Sequence, residues 1–299
     1  MYSRLVGSEM CIRDRGIAAS GGTLSNLNAL IAARHNSGLG SDPNSVLLVS
    51  EDAHSSFVKC IRVMGLDTTN LVRIKTDNQG RMDINDLRKS LDKCSIENKK
   101  IFAIVATLGT TVRGAIDPIK EISEICKQRN IWLHIDGSIG GIFAITSIPI
   151  EGLNNINQAN SITINPQKII GITKTSSLLL VSNMSTLENT FNTGLPYISS
   201  KENIINRGEI GIQGSRPAEV IKLWLGLRFL GLNGIENILK SSIKRKDFFI
   251  KNISKNKFDI YSGPLHIVSF IPKKLEPEDS DTWTQTKVNE LINNNFMLS

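Results

Sequence analysis

Lys168, Asp136, His54 and Thr110 each stand just after a short apolar run, and four such residue types at four strand ends could build a site for covalent chemistry. Ile162-Thr163-Ile164-Asn165-Pro166-Gln167-Lys168 reads as a buried strand passing into an Asn-Pro turn. In open α/β sheets, ligands bind beyond the carboxyl ends of the strands. Ile131–Ile135 leads in the same way to Asp136, followed by Gly137-Ser138-Ile139-Gly140-Gly141. Val46–Ser50 leads to Glu51-Asp52-Ala53-His54, and Ile101–Thr107 leads to Leu108-Gly109-Thr110-Thr111. A fifth feature is Ser20-Gly21-Gly22-Thr23, small residues opening a helix whose first N–H groups and dipole favour an anion.

Singly, each has a plainer role: a solvated loop lysine, a loop-starting aspartate, or ordinary helix capping by Thr23 or Ser25. Together they meet the needs of one cofactor. Pyridoxal 5′-phosphate requires a lysine to hold its aldehyde as a Schiff base, a carboxylate to keep its ring nitrogen protonated, a phosphate cradle, and a flat group against its ring. His134-x-Asp136 has the spacing of a metal pair on one strand face, but no third ligand lies near it in sequence, and a metal is not expected.

The elements that must carry these residues alternate strand and helix, which predicts a mostly parallel sheet flanked by helices. A helix follows Gly22 with Leu27, Leu30 and Ile31 on one face, and another lies near Ile84–Leu91. Asp117-Pro118 opens a third that runs to about Arg129, with Asp117 as its cap. Ser177–Ser182 follows Lys168 closely enough to return antiparallel. Glu188–Asn206 reads as a long loop carrying Tyr197, and long loops in compact domains are often lids. Beyond Gly214-Ser215-Arg216-Pro217 comes a helix to Leu230 with Val220, Leu223, Trp224 and Leu227 on one face. Gly231–Gly234 separates it from a second, Ile235–Ile253, and strands Phe258–Tyr261 and His266–Phe270 with a helix near Trp283–Asn293 make a smaller α+β unit.

The 299 residues, 40% hydrophobic and 21% charged, allow one large domain and part of a second. No apolar run reaches the roughly 20 residues of a membrane span, and no secretory leader stands out, so a cytoplasmic protein is expected. Cys11, Cys60, Cys94 and Cys126 form no CxxC pair and suggest neither zinc nor disulfides. The net charge of +7 is scattered, without a basic run or interleaved aromatics, which argues against a nucleic-acid partner. Met1–Arg15 has no clean period and reads as translated adaptor sequence joined to a truncated gene. The expected organisation is therefore a leader over 1–15, a large domain over 16–234 and a partial C-terminal domain over 235–299.

Taken in order, Ser20-Gly21-Gly22-Thr23, Ala53-His54, Ala106-Thr107-Leu108-Gly109-Thr110-Thr111, Trp132-Leu133-His134-Ile135-Asp136, Asn165-Pro166-Gln167-Lys168 and Gly214-Ser215-Arg216 resemble the group II pyridoxal-phosphate-dependent amino acid decarboxylases. The resemblance spans roughly Gly16 to Phe270. It implies the fold-type-I architecture of pyridoxal-phosphate enzymes, a homodimer, and loss of CO2 from an L-amino acid to leave an amine. It makes Lys168 the Schiff-base lysine, Asp136 the partner of the ring nitrogen, His54 the imidazole stacked on the ring, and Gly22 and Thr23 the phosphate binders with Asn165 close by. Thr110 and Ser138 would line the cofactor, and Tyr197 would protonate Cα. One departure is Gln167, where the family usually has histidine; glutamine hydrogen-bonds but cannot titrate near neutral pH. The alternatives are another reaction on the same cofactor, such as a carbon–carbon lyase, an oxidative deaminase or an aminotransferase, and a truncated homologue without catalysis.

Overall fold

The computed structural model describes residues 15–173, 176–195 and 206–296. Its centre is a seven-stranded sheet built from β1 (Gly16–Ala19), β2 (Ser45–Ser50), β3 (Leu71–Ile74), β4 (Lys100–Thr107), β5 (Trp132–Gly137), β6 (Ser161–Ile164) and β7 (Ser177–Val181). The spatial order is β1-β7-β6-β5-β4-β2-β3. From β3 to β6 all neighbours are parallel, whereas β7 runs antiparallel to both β6 and β1. β2 and most of β4 are buried on both faces, so their sequences, Ser-Val-Leu-Leu-Val-Ser and Phe-Ala-Ile-Val-Ala-Thr, are nearly continuous apolar runs. Register aligns Thr107 with Asp136 and Asp136 with Thr163, which brings the carboxyl ends of β4, β5 and β6 level.

Helices α1 (Gly22–Asn36), α2 (Ser56–Val63), α3 (Ile84–Ile96) and α4 (Ile119–Arg129) cover the sheet. Helix α1 differs from expectation: Leu27 and Ile31 are only half-buried, and its inward face carries Ser25, Asn26, Asn28 and Arg34 beside Ala29, Leu30, Ala32 and Ala33. A helix with so polar an inward face must find partners inside the protein. Asp117 is a second correction. Helix α4 begins at Ile119 with Pro118 in the capping position, and the Asp117 carboxylate instead accepts the N–H of Met82 and of Thr107, both at 2.7 Å.

The loop expected from Glu188 is helical at its start, since α5 covers Ser185–Phe191. The two helices expected after Pro217 make up α6 (Glu219–Asn252) and are broken from one another at Gly231, whose φ of 62° and ψ of 178° are non-helical backbone that glycine accepts without strain. The 234/235 division falls just past this break. Of the face expected to be buried, Leu223 is buried while Val220 and Trp224 are exposed. Beyond α6, β8 (Phe258–Ser262) and β9 (Val268–Pro272) pair antiparallel, followed by α7 (Ser280–Asn293). Phe270 packs against Phe249 of α6 at 5.5 Å and edge-on against Phe258 at 5.4 Å, a small aromatic core for this unit. Arg15, grouped with the leader in the sequence reading, already joins β7: its carbonyl accepts the Val181 N–H, and its guanidinium donates to the Ser182 carbonyl at 3.1 Å. Among the described residues, no helix is long and apolar enough to cross a membrane.

Candidate active site

The level ends of β4, β5 and β6 face the N-terminus of α1 across a cavity of about 200 Å³. Asp136 and Ser138 reach it from β5 and the turn behind it, Asn165 and Lys168 from the turn after β6, and His54 from the loop after β2. Gly22 and Thr23 close the opposite side. A larger cleft of about 540 Å³ lies between residues 78–81 and 260–264, and none of these seven lines it.

Each side chain has a definite electrostatic setting. Asp136 is 5% exposed and receives the Ser138 N–H on Oδ1 and the Asn26 amide on Oδ2, both at 3.1 Å. Lys168 carries an exposed side chain at the cavity margin; partial loss of water lowers its amine below the usual lysine value, while Asp136 pulls the other way. Among the described residues, no hydrogen bond ties the amine up. His54 accepts the Ser56 N–H on Nδ1 at 3.1 Å, which leaves Nε2 as the protonated nitrogen of the neutral ring. Desolvation, and the nearby Lys168 and Lys59 ammonium groups, keep His54 below the ordinary histidine value against the opposing pull of Asp136.

The donor set fits a phosphorylated pyridine. Helix α1 has no side-chain cap, so the first N–H groups of a 15-residue helix point toward the cavity side of Gly22 and Thr23. A Cβ on Gly22 would come within 2.7 Å of both Asn165 Nδ2 and Ser138 Oγ, so only glycine lets these groups crowd the helix start. Ser56 Oγ, Thr107 Oγ1 and Asn165 Oδ1 are buried without a hydrogen-bond partner among the described residues, and all three residues line this one cavity. Buried polar atoms are normally paired. Three orphans around one space mark a place shaped for a polar ligand.

Two expectations need adjustment. Thr110 is fully buried and its hydroxyl accepts the Ala115 N–H at 3.1 Å within the turn; Thr107, Gly109 and Thr111 line the cavity in its place. Gln167 turns away from the cavity and accepts the Ser176 N–H, tying the Lys168 turn to the start of β7. Tyr197 lies outside the described residues. Sequence reasoning missed Asn26, Ser56, Thr107 and Thr111. Asn26 had a usable signal: it stands four residues after Gly22, hence on the same helix face as the anion cradle.

Comparison with known proteins agrees with this geometry. The profile of the pyridoxal-dependent decarboxylase conserved domain matches residues 7–271, starting inside the stretch read as leader. The chain is 30% identical over 292 residues to an aromatic-L-amino-acid decarboxylase of Bacillus atrophaeus, covering 95% of this chain and 61% of that protein. It is 32% identical over 257 residues to acidic amino acid decarboxylase GADL1 of Xenopus tropicalis, covering 78% and 50%. Among solved structures, mouse CSAD in apo form superposes with a TM-score of 0.83 at 26% identity, covering 95% of this chain and 64% of that one. Oryza sativa TDC with PLP and tryptamine shares the fold, with a TM-score of 0.85 at 20% identity over 93% of this chain and 61% of that chain. The chain spans about half to three-fifths of the length of these curated relatives.

Proposed function

The chain belongs to the pyridoxal-dependent decarboxylase family, and from that premise we propose that it removes the carboxyl group of an L-amino acid as CO2, with pyridoxal 5′-phosphate held in the cavity between β4–β6 and α1. The observation that carries this reading is the meeting of Lys168, Asp136, His54 and the uncapped α1 terminus around one space whose other walls hold three unpartnered polar atoms. When bound, the cofactor supplies an electron sink for the pair left behind by CO2.

The chain's residues divide the remaining work. Lys168 offers an amine whose lowered pKa enlarges its neutral, nucleophilic fraction. Asp136, already holding two N–H donors, has room to accept a third from a ring nitrogen and so to favour the proton staying there. His54 presents a neutral ring, held by Ser56, for stacking. The N–H groups of Gly22 and Thr23, with Ser138 and Asn165, bind the phosphate. Tyr197 would supply the proton to Cα of the product. The enzyme works as a cytoplasmic homodimer whose small-molecule substrate is an amino acid, with a large domain over 16–234 and a smaller one over 235–299.

Purified protein supplied with the cofactor is expected to show the visible absorption band of a lysine-bound pyridoxal. It is also expected to release CO2 together with one equivalent of amine from a member of an amino acid panel. Lys168→Ala should abolish the band. A band unchanged by that substitution overturns the lysine assignment, and release of ammonia or exchange of amino groups without CO2 overturns the decarboxylase reading.

A further inference from the structure

Asp136 is the last member of a chain of hydrogen bonds that runs back along β5 to its first residue. Trp132 Nε1 donates to Ser161 Oγ at 2.8 Å, and Ser161 Oγ meets His134 Nδ1 at 2.8 Å. His134 Nε2 meets Asn26 Oδ1 at 3.1 Å, and Asn26 Nδ2 donates to Asp136 Oδ2 at 3.1 Å. Asn26, His134 and Ser161 are each 2% exposed or less. Parallel register sets His134 beside Ser161 on β6, and α1 lays Asn26 between His134 and Asp136.

Donor counting gives this chain one direction. A carboxylate only accepts, so Asn26 must turn its amide N–H toward Asp136 and its oxygen toward His134. His134 must then donate from Nε2. A neutral imidazole has one N–H, so Nδ1 is an acceptor and the Ser161 hydroxyl donates to it. The Ser161 oxygen in turn receives the indole N–H, which can only donate. Every donor meets an acceptor in this arrangement, and a second proton on His134 would leave the Ser161 hydroxyl proton without one. Burial holds His134 well below the ordinary histidine value, against the opposing pull of Asp136 and of the Ser161 backbone.

We propose that Asn26 and His134 are positioning residues, a one-way relay locked in the Nε2–H form of His134 that delivers a hydrogen bond to Asp136 and aims its free lone pairs at the cavity. The functional consequence rests on the reading of Asp136 as partner of the cofactor's ring nitrogen. A hydrogen bond donated into a carboxylate lowers its proton affinity. The relay therefore biases a proton shared between Asp136 and a ring nitrogen toward the nitrogen. Nothing in the relay carries a proton away, because each link already points toward Asp136.

The relay is tested without cofactor by nitrogen NMR of histidine-labelled protein, with His134 assigned by its loss in His134→Gln. The expected result is an Nε2–H ring that does not titrate between about pH 5.5 and 8.5, whereas a free histidine has its midpoint near 6.5. Ser161→Ala, which touches neither the cavity nor Asp136, should keep that tautomer and shift Nδ1 toward a nitrogen that accepts no hydrogen bond. An Nδ1–H ring, or titration near the ordinary value, overturns the relay. Its consequence is read in protein loaded with cofactor labelled at the ring nitrogen. Asn26→Ala should move that resonance toward the unprotonated position and lower kcat roughly tenfold or more with KM little changed, the loss expected for one hydrogen bond to a charged group. An unchanged ring-nitrogen resonance overturns the positioning role. Failure to bind the cofactor at all, with the His134 signature intact, would count against the proposed function and leave the relay standing.

Discussion

At Gly22 a single hydrogen atom in place of a methyl group leaves room for Asn165 and Ser138 beside the start of α1. An added Cβ would lie 2.7 Å from two buried polar atoms, and those atoms belong to the side chains best placed to meet a phosphate. Gly22→Ala should fold, because alanine favours a helical first turn, yet weaken cofactor binding about tenfold or more, near 1.4 kcal/mol; absorbance titration reads this directly. Asp117 offers the other residue-scale test. Its carboxylate uses both oxygens on backbone N–H groups, and burial pushes its pKa up to about 6. Asp117→Asn turns one acceptor into a donor facing an N–H and should cost about 1–3 kcal/mol. The sign of the pH dependence follows from a folded value above the unfolded one, near 3.9. Ionised Asp117 weighs against folding above about pH 6, and its contribution grows as pH falls toward about 4. His134, depressed by burial, acts oppositely below about pH 6.5, but it is common to both proteins and cancels in their difference. Urea unfolding across this range should therefore show the advantage of wild type over Asp117→Asn widening as pH falls.

At the scale of elements, α1 is the organiser. Its first turn forms the anion cradle, its second supplies Asn26 to Asp136, and its last turn holds Arg34. That guanidinium, 8% exposed, donates to Ser45 Oγ at 2.9 Å, the Met64 carbonyl at 3.0 Å and the Asp42 carbonyl at 2.9 Å. It thereby ties the end of α1 to the start of β2 and the end of α2. Arg34→Ala strands three acceptors and should destabilise by about 2–4 kcal/mol, seen as a lower urea midpoint with an unchanged slope. The effect on cofactor affinity should be smaller than that of Gly22→Ala, since the cradle lies at the other end of the helix. Ser25 extends the same theme, sharing a hydrogen bond of 2.7 Å with Ser177 of β7. Asn28 accepts the Ile212 N–H at 2.9 Å, so each of the four inward polar residues of α1 has a partner, which a hydrophobic pattern could not have indicated.

Across the whole molecule, the site is a meeting point of segments separated by more than a hundred residues, and ligand binding should report on the fold as a unit. Saturation at about a hundred times Kd adds roughly 2.7 kcal/mol to a state that binds only when folded. The melting temperature should therefore rise by a few degrees with cofactor, and much less in Lys168→Ala. The strand ends themselves were legible from sequence, because an apolar run that stops at a polar turn is a local signal, and Lys168, Asp136 and His54 came from that signal; Gly22 came from the small residues that open a helix, and Ser138 and Asn165 from the family resemblance. Thr110 was chosen over Thr107 because hydroxyl residues in one turn look alike until the backbone path says which hydroxyls the turn consumes. Asp117 looked like a cap because Asp-Pro is a local pattern, and it yielded to two N–H groups that only folding brings to it. By itself the sequence determined the alternation of strand and helix, the cofactor chemistry and the family, since each is written in short-range pattern and residue type. Tertiary structure alone decided which polar atoms pair: Asn26 with Asp136, His134 with Ser161, Gln167 with Ser176. Hydrogen-bond partners are selected by distance and direction across elements, and neither is encoded in spacing along the chain.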